Sequence, residues 1–157
     1  MGRKIYHKKT GMYVDWLQIS QLPNIDNFID IGVGVGTPDL WKKFKNKRII
    51  CIDPLGDSEK AAISMLRGRN YSFHKFAVGA KTSEKILNVE KNLGRSTLLK
   101  VTKINFEGKP IIRQKVKVKT LDSIIKKTKT KGSYGIKIDV EGYELEVLKG
   151  AKKTLSS

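Results

Sequence analysis

One cysteine, Cys51, stands among 157 residues. A lone thiol excludes a disulfide within the chain and a cysteine-based zinc site, and its place inside RIICID suits a small core residue. That usage points to a reducing compartment. No apolar run approaches the roughly 18 residues a membrane span needs, and MGRKIYHKKTGMYV lacks the apolar middle of a secretory signal. Met1-Gly2 does not open an acylation signal, because Tyr6 stands where serine or threonine is expected. These absences describe a soluble cytoplasmic protein. Acids are scarce too: 15 Asp and Glu against 32 Lys and Arg give a net charge of +17 and a pI near 10.0. The lysines are dispersed through KKT, KKFKNK, KVKVK, KKTKTK and KGAKK, with no arginine-rich arm interleaved with aromatics. That spread reads as a solvated surface and argues against a nucleic-acid partner. No repeat or low-complexity segment occurs. Outside Asp139 and Glu141 no carboxylate or histidine cluster appears in the sequence, so no metal centre is expected.

What is present is a chain of about one domain's length. Residues 1–26 form a polar lead-in, with YVDWLQISQL patterned as a helix ending before Pro23. FIDIGV is a β-rich run. TPDLWKKF then has Thr37 as candidate N-cap, Pro38 at the first helical position and Asp39 at the positive helix end. RIICID is a continuous apolar run ending in an acid, the pattern of a parallel strand buried on both faces. SEKAAISMLRG comes next as a helix capped by Ser58, and YSFHKFAV as a third strand. A βαβαβ order predicts parallel strands side by side with right-handed crossovers. KILNVE and IIRQKVKVKT are period-two runs, an excursion of antiparallel strands or a long loop. LDSIIKKT is a short helix with Asp122 as its cap, YGIKIDV a further strand, and YELEVLKGAKKTL a helix.

FIDIGVGVGTPDLW sets three glycines between a strand and a helix. A dinucleotide loop of the G-x-G-x-x-G kind would place them at 32, 34 and 37, but position 37 is Thr37 and the third glycine is Gly36. G-x-G-x-G preceded by Asp30 suits a ligand without a pyrophosphate, such as S-adenosylmethionine. Asp53 ends the second strand about twenty residues on, where an acid can accept both hydroxyls of an adenosine ribose. The competing reading is a tight strand-to-helix turn, with Asp53 capping the segment after it.

GIKIDVEGYELEVLKGA, with FIDIGVGVGT, IICIDP, HKFAVGA and KVKTLDSII, resembles the FkbM family of S-adenosylmethionine-dependent methyltransferases over residues 27–153. The resemblance implies an α/β, Rossmann-like methyltransferase sheet, mostly parallel, with helices on both faces. It implies S-adenosylmethionine as cofactor and methyl transfer to a hydroxyl oxygen of a sugar or other small metabolite. The family's glycine loop falls on Asp30, Gly32, Gly34 and Gly36, its ribose-binding acid on Asp53, and its adenine-side segment on Ala77 and Val78. Asp139 and Glu141 occupy its acidic turn after the fourth main strand. Val33 and Val35 stand where family members more often carry alanine and asparagine. Ser157 comes just after the helix that succeeds that strand. Residues 27–157 are therefore expected to form a partial domain lacking the closing strands, which a homodimer could complete by adding to the open sheet edge.

Methyl transfer requires a positioned acceptor oxygen and removal of its proton. Asp139, at the C-terminal edge of a strand where open α/β sheets bind ligands, is the first candidate for orienting or deprotonating the acceptor. Glu141 is the second. Each has a plainer reading, in which the side chain bonds its own turn or caps the helix opening near Tyr143. Arg95, Ser96 and Thr97 could face the acceptor; His74 reads as a packed strand residue. Two rival functions stand beside a small-molecule methyltransferase: a non-catalytic truncated module, and an RNA methyltransferase.

Overall fold

The computed structural model describes residues 4–6, 13–15, 21–90, 95–99 and 111–156. Two N-terminal strands, β1 (Lys4–Tyr6) and β2 (Tyr13–Asp15), pair antiparallel. The chain continues through β3 (Asn27–Ile31), α1 (Pro38–Lys43), β4 (Arg48–Ile52), α2 (Gly56–Leu66), β5 (Tyr71–His74) and β6 (Ala77–Val78). It ends with β7 (Ser83–Val89), β8 (Ile112–Lys119), α3 (Leu121–Thr128), β9 (Tyr134–Ile138), α4 (Glu144–Lys149) and α5 (Lys152–Leu155). The helix expected over YVDWLQISQL begins instead as strand β2; residues 16–20 lie outside the described residues.

Four parallel strands form the central sheet in the order β5-β4-β3-β9. Alternate side chains serve opposite faces. Ile29, Ile31, Ile50 and Ile52 meet Leu121, Ile124 and Ile125 of α3 and Val147 of α4. Phe28, Ile49 and Cys51 meet Trp41, Phe44, Ala62 and Leu66 beside α1 and α2 on the other. Asp30 shares Phe28's face, which sets its carboxylate against α1. The KILNVE and IIRQKVKVKT runs are antiparallel strands β7 and β8, which join β6 in a second sheet of order β6-β8-β7.

Several local expectations fail for identifiable reasons. YSFHKFAV is two strands in two sheets, broken where the Phe76 N–H donates to the His74 carbonyl at 2.9 Å. The last helix is interrupted at Gly150, where a Cβ would overlap the Gly79 carbonyl oxygen, so two backbones meet there. Thr37 does not cap α1, because its hydroxyl donates to Asp30. Ser58 lies fully buried inside the first turn of α2, which starts at Gly56. Asp122 does not cap its own helix. Thr120 does that, accepting from the Ser123 N–H at 3.2 Å, while Asp122 caps α5 through the N–H groups of Lys153 and Thr154 at 3.1 and 2.9 Å.

Candidate functional site

At the C-terminal end of β3 the chain turns through Gly32, Gly34 and Gly36 at φ of 77°, 53° and 104°, a region glycine enters without a Cβ penalty. At Gly32 backbone contact also excludes a side chain, and at Gly36 side chains crowd the position. A Cβ on Gly32 would overlap the Asp139 carbonyl oxygen, because the Asp139 N–H donates to the Ile31 carbonyl at 3.0 Å and draws β9 against the loop. A Cβ on Gly36 would sit 2.9 Å from Met65 Sδ and 3.1 Å from the Trp41 ring. Val33 is buried beside Trp41 and Phe44, whereas Val35 is exposed at the mouth.

The loop walls a cavity of about 580 Å³ above the ends of β3, β4 and β9, within the range of small-molecule sites. Gly32, Gly34, Gly36, Asp53, Ala77, Val78, Asp139 and Glu141 all line it, with Phe76, Leu87, Arg95, Ser96, Leu98, Lys137 and Tyr143. Asp30 does not line it. It is fully buried behind the loop, where Oδ2 accepts from the Thr37 hydroxyl at 2.7 Å and the Trp41 indole N–H at 2.8 Å. The Lys137 ammonium lies 3.2 Å from Oδ1. Burial pushes the Asp30 carboxyl above its ordinary range, and these donors act in the opposite direction. Donors alone address it, which is the partner set of an ionised acid.

Asp53 faces the cavity and is 6% exposed. Oδ2 accepts from the Gly34 N–H at 3.2 Å and Oδ1 from the Leu55 N–H at 2.9 Å. Burial raises its pKa, opposed by those N–H bonds. The bond to Gly34 makes the acid and the glycine loop one structural unit. His74 lies outside the cavity, beside Ser72 Oγ at 3.2 Å, its pKa lowered by burial and by Arg48 and Lys119. Burial raises the Cys51 thiol well above its usual range.

Residues 139–142 form a turn with Glu141 at φ 52° and Gly142 at φ 93°. The capping role considered for Asp139 belongs to Glu144, whose Oε1 accepts from the N–H groups of Val140 at 3.2 Å and Gly142 at 3.1 Å. Asp139 stays at the cavity edge with its side chain 59% exposed, 3.5 Å from Lys137 Nζ. Glu141 is held above the ordinary glutamate range by burial, then by Asp139 and Glu144, with Arg95 opposing. Thr97 clips its segment to this turn, its hydroxyl donating to the Glu141 carbonyl at 2.7 Å and accepting the Leu99 N–H at 3.1 Å. Arg95 and Ser96 thereby face the acidic turn across the mouth.

Lys137 and Glu144 escape sequence reasoning. A lysine inside YGIKIDV reads as strand alternation, and its meaning emerges only when register places it opposite Asp30. Glu144 reads as an exposed helix residue, and its capping of the turn depends on the side chain folding back onto the Val140 and Gly142 N–H groups. Among the described residues no group of three or more His, Cys, Asp or Glu could hold a metal ion, and no helix is long and apolar enough to cross a membrane.

Among curated protein sequences no relative matches this chain. A solved structure, the methyltransferase FkbM from Methylobacillus flagellatus KT, shares its fold with a TM-score of 0.58 at 21% identity. The match covers 90% of this chain and 33% of that one, so the chain spans about a third of its neighbour's length. The sequence pattern of the methyltransferase FkbM domain matches residues 23–157. On that match, and on an α/β sheet with the same course, the chain belongs to the FkbM methyltransferase family.

Proposed function

We propose that this chain is the cofactor-binding part of an S-adenosylmethionine-dependent methyltransferase that acts on a hydroxyl of a small acceptor, a sugar being the leading class. The observation that carries this reading is the joining of Asp53 to the glycine loop by the Gly34 N–H, at the wall of a 580 Å³ cavity. The cavity suits such a cofactor. Asp53 is fixed at the cavity wall by the Gly34 and Leu55 N–H groups, and its carboxylate, which lines the cavity, is the acceptor for a ribose hydroxyl. Gly34 and Gly36 present bare backbone, and Ala77 and Val78 offer a small apolar wall.

When bound, S-adenosylmethionine supplies a methyl group activated by its sulfonium. The protein's contribution is placement and proton handling. Asp139 is the group that orients the acceptor hydroxyl and takes its proton, being exposed at a strand end and free of turn capping. Glu141 stands second, its raised pKa fitting a group that can hold a proton nearer neutrality. Phe76, Leu87 and Leu98 give the same space an apolar wall.

The test is release of S-adenosylhomocysteine in the presence of a panel of sugars and other small hydroxyl compounds. Turnover with at least one acceptor is expected, falling about a hundredfold in Asp139→Asn, the lower end of general-base effects. Cofactor binding without turnover on any acceptor would favour a non-catalytic module. Turnover on RNA alone, with a steep salt dependence, would replace the small-molecule acceptor.

A further inference from the structure

Lys137, the penultimate residue of β9, lies beside the glycine loop at the cavity wall, its side chain 18% exposed. Three oxygens surround its ammonium: the Gly32 carbonyl, to which Nζ donates, Asp30 Oδ1 at 3.2 Å and Asp139 Oδ2 at 3.5 Å. The ammonium thus hydrogen-bonds the Gly32 carbonyl and forms ion pairs with the two carboxylates, of which Asp30 Oδ1 is buried with no hydrogen-bond partner, so Lys137 is the charge that compensates it. They belong to different parts of the site. Gly32 opens the glycine loop, and Asp30 closes it by accepting from Thr37 at the loop's far end. Asp139 stands at the mouth.

We propose that Lys137 is a positioning residue that sets the glycine loop and the Asp139 carboxylate in one geometry, coupling the cofactor side of the site to the acceptor side. This rests on the cofactor reading above. The pair Lys137–Asp30 clamps both ends of the loop, since one partner holds Gly32 and the other Thr37. A purely structural ion pair needs only Asp30. The third arm, to a carboxylate 59% exposed, adds little to stability in water but fixes where Asp139 sits. Neutral side chains of similar volume can replace a buried ion pair without loss of stability, and this separates folding from function.

Three proteins are compared by thermal unfolding and by equilibrium binding of S-adenosylmethionine: wild type, Lys137→Met, and Lys137→Met with Asp30→Asn. The single variant leaves Asp30 buried and unpaired, and its melting temperature drops. The second substitution removes that charge while its amide oxygen still accepts from Thr37 and Trp41, and the melting temperature recovers. Cofactor affinity does not recover: the dissociation constant of the double variant stays at least tenfold above wild type. A double variant that binds within twofold of wild type overturns the inference and leaves the cofactor reading intact. Wild type that fails to bind overturns both. Should the double variant not fold, the Lys137 ammonium resonance of 15N-labelled wild type decides. A shift on adding S-adenosylmethionine supports the assignment, and an unmoved resonance overturns it.

Discussion

Asp53 carries the sharpest residue-scale expectation. Its carboxylate holds Gly34 and Leu55 and lines the cavity. Asp53→Asn removes the charge with little change of shape, and a hydrogen bond to a charged group is worth about 1.5–3 kcal/mol. S-adenosylmethionine should therefore bind roughly ten to a hundred times more weakly, as measured by calorimetry. Because burial raises the Asp53 pKa, wild-type affinity should fall as pH decreases through a midpoint above the ordinary value of 3.8, where protonation removes acceptor lone pairs. A midpoint at or below that value would contradict the assignment. Gly32→Ala should cost about 3 kcal/mol or more in denaturant unfolding, since left-handed strain of about 1–3 kcal/mol adds to the overlap with Asp139. The glycines and Asp53 were legible in the sequence because each answers a local demand: a positive φ, a bare backbone, an acid at a strand end. Lys137 was not, because its meaning depends on a neighbour more than a hundred positions away, Asp30, which the sheet brings alongside. Asp30 shows the converse. Its place before the glycines is local, yet only the face it occupies decides that it serves Thr37, Trp41 and Lys137 from behind the loop.

At the scale of elements, the segment 95–99 depends on Thr97. One hydroxyl joins it to the Glu141 carbonyl and to the Leu99 N–H, while Asn88 Nδ2 donates to the Leu99 carbonyl at 2.7 Å. Thr97→Val should lose about 2 kcal/mol, two ordinary hydrogen bonds, and speed hydrogen exchange at the Leu99 amide. Unchanged exchange there would mean that the clip is not what holds the mouth. The parallel strands and the β7–β8 excursion were readable from apolar runs and period-two alternation, both local signals. The divisions at His74–Ala77 and at Gly150 were not. Each is imposed by tertiary contact, the first by β6 joining β8 in another sheet and the second by Gly79 lying against Gly150. Cap assignments failed for the same reason, since Thr37 and Asp122 satisfy partners outside their own helices.

For the whole molecule, a charge of +17 makes self-repulsion a global term. Raising salt from about 0.01 M to about 0.15 M shortens the screening length from roughly 30 Å to roughly 8 Å, so the melting temperature at pH 7 should rise by a few degrees. A fall would show that attractive pairs dominate instead. Among the described residues β9 is an edge strand of the central sheet, and its end forms part of the site wall through Lys137 and Asp139. The direct test is equilibrium dialysis of folded wild-type protein against labelled S-adenosylmethionine, with Gly34→Val and Asp53→Asn alongside. Saturable one-to-one binding in the micromolar range, weakened at least tenfold in both variants, is the predicted result. Folded wild-type protein that retains no label at millimolar cofactor, or binds equally well in all three forms, would contradict it.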